Sequence, residues 1–337
     1  MKTDMQAMVI HKYGNHPVQQ ETRPVPSMNP YEVRVKIKAA SINPIDYKIR
    51  DGGLKLLLKF EFPLILGNDF SGVITEVGSK VENFKVGDAV YGRPRKEKIG
   101  TFAEFIAIDA SEIALKPEQL SFEEAASIPL VGLTAYQALN DVMHLKAGNK
   151  VLIQAGAGGV GTFAIQLAKA MGLYVATTAS ERGYELVKAL GADEIINYKA
   201  EDFSQRLSNY DGVFDTLGGE NLDKSFEILK PHGTIASVSG IPTVKLAKRL
   251  KLNIFKQLLL RGASAKLVRR AKKYNVNYEF LFMQPSGEQL NIISNLINEG
   301  KIKPIIDKVY SFEQTQDAIA YSSSGKAKGK IVISMDK

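Results

Sequence analysis

An apolar run that breaks into glycines and then resumes at helical spacing constrains this chain more than any other feature. The stretch is VLIQAGAGGVGTFAIQLAKAMG, residues 151–172. Val151, Leu152 and Ile153 read as a short buried strand. Gly156, Gly158, Gly159 and Gly161 follow, and Phe163, Ile165, Leu167, Ala168 and Met171 then recur at helical spacing up to Gly172. A helix start leaves N–H groups unpaired and carries partial positive charge. Glycines beside it let a phosphate reach the backbone, because no Cβ intervenes. The spacing Gly156-x-Gly158-x-x-Gly161 between strand and helix predicts a dinucleotide site, with Val160 at the helix start. The alternative is a tight structural turn.

The period of the apolar residues divides the rest of the chain. Over residues 1–125, short strand-like runs such as 32–42, 70–79 and 87–92 are separated by turn residues. Glu32, Arg34, Lys36 and Lys38 alternate with Val33, Val35, Ile37 and Ala39, the pattern of a strand with one wet face. This predicts a compact β-rich domain. Over residues 126–300, strands at 174–179, 193–198, 210–219, 234–240 and 277–283 alternate with helices, including one over 220–233 ended by Pro231 and Gly233. Regular alternation predicts an α/β fold with a doubly wound parallel sheet. Residues 301–337 read as a return to the first domain. A chain of 337 residues exceeds what one core usually spans, which agrees with two domains.

Composition removes several chemistries. The chain has no Cys, so disulfides, Cys-ligated zinc and iron–sulfur clusters are excluded. His11, His16, His144 and His232 form no His-x-x-x-His pair, and no metal site is expected. No apolar run reaches membrane-spanning length and the first residues do not read as a signal peptide, so the expected location is the cytosol. The net charge of +8 is concentrated: residues 244–274 hold eleven Lys or Arg and no Asp or Glu. Within the basic segment 244–275, Leu250, Ile254, Leu258 and Leu259 line one face. Three readings stand for it: a helical lid or dimer contact, peripheral docking on an anionic membrane, and nucleic-acid binding. No aromatic or glycine motif supports the last, and no nucleic-acid partner is expected.

The end of the second strand bears on the choice of nucleotide. An Asp or Glu there holds the adenosine ribose and selects NAD. Here the strand ends in Thr177-Thr178-Ala179-Ser180, with Arg182 two positions on and Tyr198 closing the third strand. These groups can donate to a 2′-phosphate, so the expected cofactor is NADPH. The alternative makes Ser180 a simple N-cap and leaves Arg182 on a solvated helix face.

The motifs SINPIDYKIRDG (41–52), PLILGNDFSGVITEVGSKVENFKVGDAVYG (63–92), GTFAEF (100–105), AASIPLVGLTAYQAL (125–139), AGAGGVG (155–161), LGADEIINY (190–198), FDTLGGE (214–220) and KGKIVI (328–333) together carry a family resemblance. The chain resembles the medium-chain dehydrogenase/reductase superfamily, in its zinc-free quinone oxidoreductase-like branch. The resemblance implies a GroES-like β domain enclosing a Rossmann domain, an active site in the cleft between them, NADPH and a homodimer. It further implies that Asn43 approaches the nicotinamide ribose and the substrate. Thr134 would sit beside the pyrophosphate or nicotinamide, Ser180 and Tyr198 at the 2′-phosphate, and Ser239 and Gly240 where the nicotinamide amide meets backbone. Zinc-dependent members carry Gly-His-Glu where this chain has Gly67-Asn68-Asp69. FLFMQPSG (280–287) resembles a subgroup reducing alkenals and enones, placing Phe282 near the nicotinamide; the alternative is that Phe280, Phe282 and Met283 form one buried strand.

Without a metal, the expected reaction is hydride transfer to a quinone or an α,β-unsaturated carbonyl compound. Negative charge then grows on the carbonyl oxygen, which needs a donor. The candidates are Tyr47, Lys48 and the Asn43 amide, against the plainer reading of DYKIR as an ordinary helix. An enoyl-thioester reductase and a non-catalytic NADP-binding sensor are the alternatives.

Overall fold

The computed structural model describes residues 3–336. The chain forms two compact units. One runs up to Leu133 and resumes at Gln284; the other is Thr134–Met283. The sequence pattern predicts a second unit reaching residue 300, whereas the helix Gly287–Asn298 belongs to the first. Its attachment is specific. The buried Tyr91 hydroxyl donates to Leu290 O and pairs with Ser294 Oγ, both at 2.8 Å. The first boundary also moves, from 125 to 133.

The first unit is built around the strand Glu32–Ile42. Its apolar face holds, with Val33, Val35 and Ile37 fully buried among Phe70, Ile74 and Val90, but the expected wet face is only partly wet: Lys36 is exposed, Arg34 and Lys38 are half-buried, and Glu32 is buried and paired with Lys98. The strand pairs antiparallel with Asp69–Val77 on one side and Lys330–Ser334 on the other. The sheet order is Ile306–Ser311, Lys330–Ser334, Glu32–Ile42, Asp69–Val77, Ala89–Gly92, Ile113–Leu115, with Phe105–Asp109 also joined to Glu32–Ile42. A separate three-stranded sheet joins Gln19–Pro24, Asp4–Ile10 and Leu64–Ile65. Residues near both ends of the chain therefore share one sheet, which places Lys330 next to the start of the helix Pro44–Arg50.

The second unit holds a six-stranded sheet, parallel throughout. Its order is Glu194–Asn197, Tyr174–Ala179, Lys150–Ile153, Tyr210–Asp215, Leu229–Ser237, Asn277–Phe280. Numbered along the chain this is 3-2-1-4-5-6, the doubly wound order, and it reverses beside Lys150–Ile153. Strand residues Val151, Leu152 and Ile153 are wholly buried, as expected of a sheet covered on both faces.

Two expectations change. The helix expected over 220–233 is only Gly219–Ser225, and the fifth strand already begins at Leu229. Pro231 lies inside that strand at a register shift, where a missing N–H costs no ladder bond. The sixth strand ends at Phe280. Phe282 and Met283 lie beyond it in irregular chain, so the three residues are not one buried strand. The basic segment forms the helices Val244–Arg249 and Ile254–Tyr274. No helix among the described residues is long and apolar enough to cross a membrane.

Candidate functional site

In the second unit, the strand Lys150–Ile153 leads through Gln154–Ala157 to the helix Gly159–Ala170. Gly158 is the N-cap and contributes no side-chain cap, so the amides of Gly159, Val160 and Gly161 open the helix without internal partners. The turn beneath is tight. A Cβ on Gly161 would lie 2.4 Å from Ala155 O and 2.6 Å from Gly156 Cα. A Cβ on Gly158 would meet only Ala155 O, at 3.3 Å. Gly161 is thus required by packing, whereas Gly158 has one close neighbour at the helix start. The turn is pinned from the neighbouring strand: Ala155 N donates to Thr178 Oγ1 and Gly156 N to Thr178 O, both at 3.0 Å. This cradle of uncapped amides fits a diphosphate.

The register places Ser180 and Tyr198 together. Ala179 lies opposite Asn197 in adjacent parallel strands, and both side chains follow at the carboxyl ends. Thr177 and Thr178 are turned to internal duties, Thr177 Oγ1 donating to Ile153 O at 2.6 Å. Ser180 occupies the N-cap of the helix Glu181–Ala189, yet its hydroxyl makes no capping bond. Ser180 is thus the N-cap by position, without the hydroxyl bond of a capping side chain. Tyr198 is 58% exposed, and Arg182 is exposed in the first turn of that helix. Thr134 is buried in the helix Pro129–Tyr136.

The fourth and fifth strands end in a network that sequence reasoning missed. Buried Asp215 accepts from Leu217 N at 3.1 Å, Gly218 N at 2.7 Å and Ser237 Oγ at 2.5 Å. Ser237 Oγ accepts from Ser239 N at 3.3 Å and Gly240 N at 2.8 Å. Burial pushes the Asp215 carboxyl up, against the bonds from Ser237, Gly218 and Leu217. The N–H groups of Ser239 and Gly240 are thus engaged inside the protein. The available signal was an Asp at a strand end ahead of Gly218-Gly219. Phe282 is half-buried, its carbonyl accepting from Arg249 Nη2 at 3.5 Å.

In the first unit, Asn43, Tyr47 and Lys48 lie at the start of, and within, the helix Pro44–Arg50. Asn43 is 1% exposed. Its Nδ2 donates to Asp69 Oδ2 at 2.8 Å and Ser41 O at 3.3 Å, and its Oδ1 accepts from Lys330 Nζ at 2.5 Å. Both amide hydrogens are engaged, so the expectation of a free Asn43 donor does not hold. Asp69 also accepts from Ser41 Oγ and Leu130 N, each at 2.7 Å. Asp46 accepts from Asn43 N and Asn68 Nδ2, again at 2.7 Å. Burial raises the Asp46 carboxyl to about 7; the Asn68 and Asn43 bonds and Lys330 oppose the rise, and Asp69 adds to it. Burial lowers Lys330, with Asp69 and Asp46 opposing. Tyr47 is half-buried against the cluster containing Ile42, Ile49 and Phe312. Burial raises its phenol first, then Asp46 and Asp51. Its hydroxyl has no partner among the described residues, and Lys48 is exposed.

By the family resemblance, Gly67–Asp69 stands where zinc-dependent members carry Gly-His-Glu. Asn68 is bonded to Asp46, Asp69 already accepts from an ammonium, and the chain has no Cys. These residues do not make a zinc site.

Comparison with known proteins agrees with this architecture. The profile of the alcohol dehydrogenase GroES-like domain matches residues 29–118, and one described as zinc-binding dehydrogenase matches residues 190–333. The NAD(P)H oxidoreductase RTN4IP1, mitochondrial, of Danio rerio is 37% identical over 99% of this chain and 92% of its own length. The 2-methylene-furan-3-one reductase of Solanum lycopersicum is 34% identical over 92% of this chain and 73% of its own. The solved quinone oxidoreductase from Coxiella burnetii matches with a TM-score of 0.85 and 35% identity, over 98% of this chain and 99% of that one. The chain belongs to the medium-chain dehydrogenase/reductase superfamily, as a quinone oxidoreductase-like member.

Proposed function

We propose that this chain, an oxidoreductase using a nicotinamide cofactor, takes NADPH and reduces a quinone or an α,β-unsaturated carbonyl compound. The observation that carries the reading is the helix start at Gly159, open and glycine-lined, on the first strand of the 3-2-1-4-5-6 sheet. The amides of Gly159, Val160 and Gly161 would hold the diphosphate. Beside it, an uncapped Ser180 hydroxyl, Arg182 and Tyr198 stand where an acidic residue would select NADH. One charge-assisted bond to a 2′-phosphate contributes about 1.5–3 kcal/mol, which favours NADPH by about ten-fold or more.

When bound, the reduced nicotinamide supplies a hydride. The protein's part is to orient the acceptor, exclude water and answer the charge gathering on its carbonyl oxygen. Tyr47 is the donor on this reading, because its side chain is half-buried and its hydroxyl has no partner among the described residues. Lys48 adjoins it at the surface as a route for the proton. Asn43 is a positioning residue, joining Asp46, Asp69 and Lys330 at the start of the helix that carries Tyr47. The names of the quinone oxidoreductase and the furanone reductase support an acceptor already conjugated to a carbonyl.

The test is NADPH oxidation followed at 340 nm with a benzoquinone, a conjugated enone and the matching saturated ketone. Turnover of either conjugated acceptor with none of the ketone is expected. Inertness toward every acceptor, by protein that binds NADPH, would contradict the reading.

A further inference from the structure

Neither the nucleotide site nor the Asn43 cluster uses the helices between the fifth and sixth strands. The longer one, Ile254–Tyr274, packs inward through Leu260, Ser264 and Leu267. Leu267, Ala271 and Tyr274 join the cluster around Phe226. At 3.6 residues per turn these positions form a single stripe. The opposite side of the first two turns carries Ile254, Phe255, Leu258 and Leu259, which are 70%, 71%, 56% and 48% exposed. Large apolar side chains scattered singly on a surface need no explanation, but four on adjacent turns do.

The charged residues of the segment that carries this patch are all cationic. Residues 244–278 contain eleven Lys or Arg and no Asp or Glu. Three cations are satisfied from elsewhere: Lys245 by Glu279, Lys266 by Asp223 and Arg270 by Glu227. Lys248, Lys251, Arg261 and Lys272 have no ionic partner among the described residues, and all four are exposed. Lys251 precedes the apolar patch and Arg261 follows it by one turn on the same side.

We propose that this helix docks on an anionic lipid surface. The apolar side chains of its first two turns enter the boundary with the acyl chains, and Lys251, Arg261 and Lys272 meet the headgroup phosphates. A lipid surface presents apolar matter below a layer of anions, and the same vertical order is built into this helix. Lysine and arginine stems reach upward from an apolar bed while their charges stay in water. An acidic protein surface answers the cations but leaves the four apolar groups without complement. The proposal stands independently of hydride transfer, since it uses none of the residues assigned to that reaction.

The full chain is floated with vesicles of phosphatidylcholine alone and of phosphatidylcholine mixed with phosphatidylglycerol, at low and high salt. Binding to the anionic vesicles only, weakened by salt, is expected. The double variant Phe255→Ser/Leu258→Ser and the double variant Lys251→Gln/Arg261→Gln should each weaken it about ten-fold or more. Their melting temperatures should match the parent, because all four side chains are exposed. Protein left wholly unbound at low salt overturns the proposal, as does unchanged binding by either variant. So does light scattering in which Phe255→Ser/Leu258→Ser converts a dimer to a monomer, because a second copy would then cover this face.

Discussion

Ser180 shows what one side chain decides here. It caps a helix by position but not by bonding, and it follows Ala179, whose carbonyl accepts from Tyr198 N at 3.4 Å where two paired strands end. Ser180→Asp would set a carboxylate against the 2′-phosphate. NADPH should then bind about ten-fold or more weakly while NADH is held at least as well, as measured by quenching of protein fluorescence. Asp46 makes a second prediction. Its carboxyl titrates near 7 when folded and at the ordinary 3.8 otherwise, mainly because of burial. Between those values the folded chain keeps a proton that the unfolded chain has released. Asp46 therefore lowers stability progressively as pH rises from about 4 to 7, and by a constant amount above about 8. The melting temperature of the parent minus that of Asp46→Asn should decline across that window and then level off. A flat difference would contradict the burial argument.

At the scale of elements, the strand–turn–helix unit separates packing from binding. Gly161→Ala forces a Cβ to 2.4 Å from Ala155 O, and the overpacking should cost about 1–3 kcal/mol in urea unfolding. Gly158→Ala meets a single neighbour, at 3.3 Å, so its cost in stability should be well below that of Gly161→Ala while NADPH affinity falls about ten-fold, because the methyl stands where the diphosphate approaches. A fall in stability from both variants alike would mean the glycines serve the turn alone. This unit was legible in the sequence because strand, glycines and helix are contiguous and each period is unmixed. The start of the fifth strand was not. Pro231 reads locally as the end of a helix, and only pairing with Tyr210–Asp215 reveals the register shift that admits it. The same limit hid the true end of the sixth strand, since an apolar FLFM run looks extended whether or not a neighbour pairs with it.

At the scale of the whole molecule, the first unit is completed by the last part of the chain. Lys330 donates to Asn43 Oδ1 at 2.5 Å and Ile42 O at 3.3 Å, and lies 3.4 Å from Asp69. Such a contact between residues 287 positions apart leaves no local pattern to read. Lys330 entered the sequence reading only inside the KGKIVI motif, and the network it completes was invisible there. Lys330→Met strands Asp69 as a buried charge and should cost about 3–5 kcal/mol, read from the urea midpoint. A loss within about 0.5 kcal/mol would show the cluster to be dispensable. Nucleotide binding by the whole chain turns on the open helix start at Gly159. Isothermal titration of the folded chain with NADPH and with NADH tests it most directly. NADPH binding about ten-fold or more tightly than NADH is the predicted result, and no heat of binding from either nucleotide would contradict it.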